Sequence, residues 1–260
     1  MLVRSSIAEI RQRREGLTSL LQKEGYLSVA ELSHRFSVSD ATIRRDLDAL
    51  QEENRLTRTY GGALSEYDAL FVPFYQRNAQ RRGEKRRLAQ AAVEYVQQDS
   101  TIFLDAGSTV FFVAEQVIEL NHGTLTLVTN SLPVADLLAS KGSSEVHLLG
   151  GRLLPHQLVV VGPGASIGLN SWRFDLAFLS AEGMNADGLW NSQDDISNFQ
   201  RHLCGRSRRS VFCLDDSKLG RKAPSFLMSW DAVQTLVTTV EYGELSASGV
   251  ELDRKKLKHA

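Results

Sequence analysis

Only two cysteines, Cys204 and Cys213, occur in the 260 residues, too few for a disulfide framework and lacking the companion ligand spacing of a zinc site. Both read as reduced packing residues, Cys204 in a helix and Cys213 in a strand, and neither a metal nor a cofactor is expected. Long apolar runs are missing too: none approaches the ~18 residues that span a bilayer, so no membrane partner is expected. The amino-terminal "MLVRSSIAEIRQRREG" has no apolar core followed by a small-residue cleavage site, which points to the cytoplasm. Nor is there an excess of positive charge. With a formal net charge of −1, no global field draws the chain to phosphate, so any contact with nucleic acid must be local. No fixed-period repeat or low-complexity tract is present.

What the chain does have is enough apolar content, 42%, for a small domain of ~60 residues and a larger one. In "RREGLTSLLQKEG", Leu17, Leu20 and Leu21 recur at helical spacing before a stop at Gly25. "SVAELSHRFS" puts Val29, Leu32 and Phe36 on one helical face, with Ser28 as its cap. "SDATIRRDLDALQEEN" opens at a capping Ser39, and Ile43, Leu47 and Leu50 make an inward stripe that leaves Arg44, Arg45 and Asp48 off it. "RLTRTYGGAL" suits a short hairpin. Two short helices, a brief turn and a hairpin fit a winged helix-turn-helix, with small Ser33 and Ser37 letting the helices cross closely. The competing reading is a three-helix packing module with charged outer faces.

From Phe71 to about Leu88 basic residues crowd together, Arg77, Arg81, Arg82, Lys85, Arg86 and Arg87 against Glu84, and this reads as a linker leading into a second domain. Beyond it β-rich runs alternate with helical ones, which argues for an open, mostly parallel α/β sheet covered on both faces. The expected organisation is therefore a DNA-binding domain over residues 1–66, a basic linker over 67–88 and an α/β domain over 89–260.

"LQKEGYLSVAELSHRFSVSDATIRRDLDALQEENRLTRTYGGAL", and in it Val38-Ser39, Thr42 to Leu47 and Arg58 to Ala63, resembles the DNA-binding domain of the DeoR-type family of bacterial regulators of sugar metabolism. Ser33 and Ser37 stand where alanine and glycine are usual in that family. In this reading Ser39 caps the recognition helix, and Asp40, Ala41 and Thr42 lie nearest the base edges, because such a helix leads with its amino end. Arg44 and Arg45 take guanine edges or phosphates, and the string does not divide the work between them. Arg55, Arg58 and Tyr60 are candidate phosphate or minor-groove contacts. Asp46, which DNA would repel, reads as an internal salt bridge or a helix contact.

In the second domain, polar clusters follow successive strands: Asp105 to Val110, Thr129-Asn130-Ser131, Gly150-Gly151, and Asp215 to Gly220. The carboxyl ends of parallel strands converge on one edge, where ligands bind. Gly107, Ser108 and Thr109 ahead of a helix offer a seat for a phosphate, Lys218 adds a positive charge, and Asp105 and Asn130 face sugar hydroxyls. The order of "DAGSTV", "TNS", "LLGG", "FDLAFLSAEGMNADGL" and "DDSKLG" is similar to the effector-sensing domain of the DeoR-type family, which shares its fold with ribose-5-phosphate isomerase and glucosamine-6-phosphate deaminase. The resemblance implies a phosphorylated sugar as ligand, operator DNA as partner, and dimers or tetramers. Departures are Val110 for a third threonine, Thr239 for an aspartate, and "NSQDDISNFQRHL" for a stretch that commonly holds a glutamate and a lysine.

The function expected is thus a transcriptional repressor of a sugar-metabolism operon, not an enzyme, with the segment from Phe71 to Leu88 as transmission element. The alternative is a phosphosugar isomerase or deaminase carrying a DNA-binding appendage, with Asp105, Glu182 or Asp215 near Lys218 moving protons. Trp172, Trp190 and Trp230 read as packing residues, His147 as a strand residue, His156 as a pocket edge, and the terminal "DRKKLKHA" as a solvated tail.

Overall fold

Leu17, Leu21, Leu32, Ile43, Leu47 and Leu50 are all fully buried, and together they are the core of the first of two compact units, residues 1–72 with 222–224 and residues 73–221 with 225–260. The computed structural model describes residues 7–24, 26–52, 56–59, 62–65, 74–120, 124–141, 145–155 and 157–260. In the first unit, helix α1 (Ile7–Glu24) is followed by strand β1 (Tyr26–Ser28), helices α2 (Val29–Phe36) and α3 (Asp40–Glu52), and the hairpin β2 (Leu56–Thr59) and β3 (Gly62–Ser65). The hairpin gains a third strand that sequence reading did not anticipate: β1 pairs antiparallel with β3, from Tyr26 opposite Leu64 to Ser28 opposite Gly62. A three-residue strand carries too little alternation to be seen in sequence. Gly25, the expected stop of α1, lies outside the described residues.

Ser28 makes a full capping box, its hydroxyl accepting from the Glu31 N–H while the Glu31 carboxylate accepts from the Ser28 N–H. α2 ends at Ser37, which takes a left-handed φ of 52°. The Ser33 hydroxyl donates to the Val38 carbonyl at 2.6 Å, so a side chain expected only to be small also ties the turn together.

The second unit is built on a seven-stranded sheet in the order β15-β14-β12-β9-β4-β5-β6: Leu257–His259, Thr235–Thr238, Ser207–Leu214, Phe174–Leu179, Thr101–Leu104, Thr126–Thr129 and Glu145–Leu148. Every pairing in it is parallel. Alternation sends Phe103, Ala177 and Phe212 to one core and Ile102, Leu104, Phe178 and Val211 to the other, which is why these strands read as unbroken apolar runs. Helices Arg82–Val93, Ser108–Glu119 and Leu132–Lys141 cover one face, and Pro163–Leu169, Asp194–Arg206 and Tyr242–Ala247 the other. The chain runs outward from β4 through β5 to β6, then returns to the other side of β4 and runs out through β9. The order therefore reverses between β4 and β9, the kind of switch point outside whose strand carboxyl ends ligands bind in open α/β sheets.

Two expectations are corrected. Residues 74–88, read as linker, belong to the second unit: Phe74–Ala79 and Arg82–Val93 are helices, and Phe74, Lys85 and Leu88 are buried. A run of positive charge resembles a solvated linker only while its partners are unseen. The carboxyl-terminal segment is not a solvated tail, since Leu257–His259 is the edge strand paired with β14. Two small antiparallel sheets were not anticipated: Arg152–Leu154 (β7) with Val159–Val161 (β8), and Gly183–Asn185 (β10), Gly188–Asn191 (β11) and Ser225–Met228 (β13). Burial pushes the Cys204 and Cys213 thiols up, to about 11 and about 12, as befits reduced packing residues. Among the described residues no helix is long and apolar enough to cross a membrane.

Candidate functional site

Helix α3 is held by one face and open on the other. Ile43, Leu47 and Leu50 are fully buried, while Asp40, Ala41, Arg44, Arg45 and Asp48 are exposed. Its start is fixed locally: the Ser39 hydroxyl accepts from the Thr42 N–H at 3.2 Å and lies 2.9 Å from the Thr42 hydroxyl. Its middle is fixed from α1. Asp46, only 3% exposed, accepts from Arg13 Nε at 2.6 Å and from Arg14 Nε at 3.1 Å. Asp46 is thus an internal ion pair, as the sequence implied. Arg44 lies 3.9 Å from Asp40, a contact too long and too exposed to hold it in place.

At the switch point between β4 and β9, the backbone N–H of Asp105 donates to the Phe178 carbonyl at 3.0 Å, so the carboxylate sits where the two strands part. Asp105 is 2% exposed. Burial pushes its carboxyl up to about 6, against the opposing pull of hydrogen bonds from Gln200, the Ala106 N–H and Asn130. Gln200 Nε2 donates to Asp105 Oδ2 at 2.5 Å and to the Ser180 carbonyl at 2.9 Å, and Gln200 Oε1 accepts from Asn191 Nδ2 at 2.6 Å. Gln157 Nε2 donates to the Ser192 hydroxyl at 3.1 Å, beside Asn191. Asn130 Oδ1 and Gln157 Oε1 are buried acceptors that no donor among the described residues reaches. Such acceptors are costly unless a hydroxyl or N–H reaches them.

Beside Asp105, helix Ser108–Glu119 starts at Gly107, whose φ of 137° excludes ordinary side chains, and no side chain caps it. The first N–H groups of this helix thus have no side-chain cap, and the hydroxyls of Ser108 and Thr109 beside them are buried. At the ends of the neighbouring strands, Lys218 Nζ lies 3.5 Å from Glu182 Oε2, and Arg77 Nη1 donates to Glu182 Oε1 at 3.2 Å. Arg81 pairs with Asp215 at 3.5 Å and also with Asp216. Thr239 fastens that loop, accepting from the Asp216 N–H at 3.0 Å and donating to Asp216 Oδ1 at 3.1 Å. A recess of about 250 Å³ lined by Tyr95, Asp175 and Arg208 lies at the opposite, amino edge of the sheet, away from these groups.

Residues 80–239 match the DeoR C terminal sensor domain, and residues 13–68 match the DeoR-like helix-turn-helix domain. The chain belongs to the DeoR family. It is 34% identical over 228 residues to the glycerol-3-phosphate regulon repressor of Escherichia coli (strain K12), covering 87% of this chain and 90% of that one. It is 33% identical over 231 residues to the lactose phosphotransferase system repressor of Streptococcus mutans, covering 87% and 91%. Among solved structures, ribose 5-phosphate isomerase from Plasmodium falciparum matches with a TM-score of 0.39 and 21% identity over 53% of this chain and 52% of that one.

In this DeoR-family chain the structure brings together Asp105, Gly107, Ser108, Thr109 and Asn130 at the switch point. Thr129 and Ser131 flank Asn130, but their hydroxyls are engaged internally. Thr129 donates to the Leu104 carbonyl at 2.6 Å and accepts from the Ser131 N–H at 3.0 Å, and Ser131 accepts from the Val134 N–H at 3.5 Å. Gly151 is required by packing, since a Cβ there would stand 2.8 Å from the Val161 carbonyl oxygen, while Gly150 meets nothing. Lys218 lies with Glu182 and Arg77. Arg58 falls on β2, and Arg55, Tyr60 and His156 lie outside the described residues. Sequence reading missed Gln157, Ser180, Asn191 and Gln200. The sole local sign was a glutamine in a stretch that departs from the family pattern.

Proposed function

We propose that this chain is a transcriptional repressor that reads operator DNA through α3, and that a phosphorylated sugar or polyol at the carboxyl edge of the sheet modulates its grip. The observation that carries this reading is the exposure of Arg44 and Arg45 on a helix whose Ile43, Leu47 and Leu50 are fully buried. The names of the two relatives support repression of genes linked to a phosphorylated polyol or sugar. In this reading Ser39, Asp40, Ala41 and Thr42 approach base edges, and Arg44 and Arg45 bind guanine or phosphate, joined by Arg55, Arg58 and Tyr60. Gly107, Ser108, Thr109 and Lys218 hold the ligand phosphate, while Asp105 and Asn130 hold its hydroxyls. The free acceptor of Asn130 suits a hydroxyl donor, which any sugar supplies. Two or more copies bind spaced half-sites, because one small reading head has limited contact area.

The deciding experiment combines operator selection from genomic fragments with thermal shift against sugar and polyol phosphates, glycerol 3-phosphate included. A stabilising ligand should change operator affinity and should lose its effect in Thr109→Val or Lys218→Ala. Failure of every phosphate to bind would sink the sensor half of the proposal. Turnover of a phosphosugar at ordinary enzyme rates would favour a catalytic role instead.

A further inference from the structure

The group beside Lys218 is more than a single lysine. Glu182 is contacted by Lys218 and Arg77 and feels the charge of Arg221. Burial works to raise its carboxyl, but the charges of Lys218, Arg77 and Arg221 hold it below the usual carboxylate range. Lys85, 5% exposed, lies in the same field. Burial pushes its ammonium down to about 8 despite the attraction of Asp215, and Lys218, Arg77 and Arg81 push the same way. Its Nζ donates to the carbonyls of Arg77 and Gln80. Arg81 is committed to Asp215 and Asp216, so Glu182 is the carboxylate left facing Arg77, Lys218 and Arg221.

The placement is built into the fold. A Cβ on Gly183, next to Glu182, would stand 2.3 Å from the Arg221 carbonyl oxygen, and Met184 forms a parallel bridge with Leu219. The backbone carrying Glu182 is thus pressed against the loop carrying Lys218 and Arg221. Yet the carboxylate does not complete the cluster. It takes only Nη1 of Arg77, and Arg77 Nε is buried without an acceptor among the described residues. A buried guanidinium donor without a partner is unfavourable, and the fork of Nε and Nη suits an oxyanion that takes both.

We propose that Arg77 belongs to the anion seat and that Glu182 is its built-in competitor, so that a phosphate monoester enters by displacing this carboxylate from Arg77 and Lys218. This rests on the reading of Lys218 as a phosphate ligand given above. A phosphate dianion brings more charge and more acceptor oxygens than one carboxylate, enough for the Arg77 fork and Lys218 together. Arg77 lies on helix Phe74–Ala79, at the start of the second unit and directly after the segment that joins the two units in the chain. Phosphate occupancy therefore changes the charge that holds this helix, a local event that can be read as regulation.

Isothermal titration of the full chain with inorganic phosphate tests the proposal. Glu182→Gln should bind phosphate about tenfold more tightly than wild type, and Arg77→Met about tenfold more weakly. Glu182→Gln should also melt lower without phosphate and recover more of that loss when phosphate is added, a response that plain structural damage does not give. If Lys218→Ala weakens binding while Arg77→Met and Glu182→Gln do not change it, the competitor proposal is overturned and the Lys218 seat stands. If Lys218→Ala changes nothing either, the seat itself is gone. Weaker binding by a folded Glu182→Gln likewise overturns the proposal. Should Glu182→Gln not fold, Arg77→Met decides alone, because Lys218 still pairs with Glu182 in that variant.

Discussion

Gln200 donates a 2.5 Å hydrogen bond to the carboxylate of Asp105, a residue 95 positions earlier in the chain. Its other contacts, to the Ser180 carbonyl and from Asn191, leave this amide one orientation that satisfies all three neighbours. It is the link that binds the helix Asp194–Arg206 to the switch point of the sheet.

Gln200→Leu keeps the size and removes the link. Asp105 Oδ2 and Asn191 Nδ2 then lose their partner in a buried site, and the loss should be about 2–4 kcal/mol of unfolding free energy. Denaturant unfolding measures it. A change below about 0.5 kcal/mol would mean that the network contributes little.

Burial pushes the Asp105 carboxyl in the folded chain up to about 6, above its ordinary value of 3.8, so the folded state binds this proton more tightly than the unfolded state does. Its contribution to stability is complete below the unfolded value and is lost as pH rises through about 6. Asp105→Asn abolishes that loss. The unfolding free energy of wild type relative to the variant should therefore fall by on the order of 3 kcal/mol between about pH 4 and pH 7. A flat difference would contradict the assignment.

Arg44→Ala and Arg45→Ala separate base reading from phosphate contact. The base reader should lose about 1–3 kcal/mol on its preferred site and relax specificity there. The phosphate contact should weaken all sequences alike and lower the salt slope by about 1. Anisotropy titrations over a range of salt distinguish them, and two variants with unaltered affinity would remove α3 as the reading element.

Asp46→Ala leaves Arg13 and Arg14 without the carboxylate that holds them, with side chains only 12% and 27% exposed. The first unit should lose about 3 kcal/mol. Calorimetry should find the loss in the transition of that unit.

Ser37 takes a φ of 52° at the end of α2, a conformation that costs a side chain and not glycine. Ser37→Gly should raise the stability of the first unit by about 0.5–1 kcal/mol, with operator affinity preserved. A lower melting temperature would show that the serine side chain contributes more than its backbone strain costs.

Much of the architecture was legible because its signals are local. The stripe of Ile43, Leu47 and Leu50 has helical period, the Ser28 and Ser39 caps act within three residues, and the apolar strands alternate with helices. The freedom of Arg44 and Arg45 followed from the same periodicity. The polar clusters at the strand ends could be named in advance, since each follows its own strand directly. Their division could not. Thr129, Ser131 and Gly151 looked like Asn130 in sequence, and only their neighbours reveal that the first two hydroxyls are engaged internally and that Gly151 is a packing requirement.

By itself, then, the sequence determined the two-part plan, the third helix with its exposed arginines, and the strand ends that carry the polar clusters, because each is encoded within a few turns of chain. Tertiary structure alone decided that Gln200 meets Asp105, that Arg77 and Lys218 share Glu182, and that residues 74–88 and the last strand belong to the second unit. These are contacts between residues far apart in sequence. A charged or amide side chain looks solvated in sequence until the fold supplies the partner that buries it.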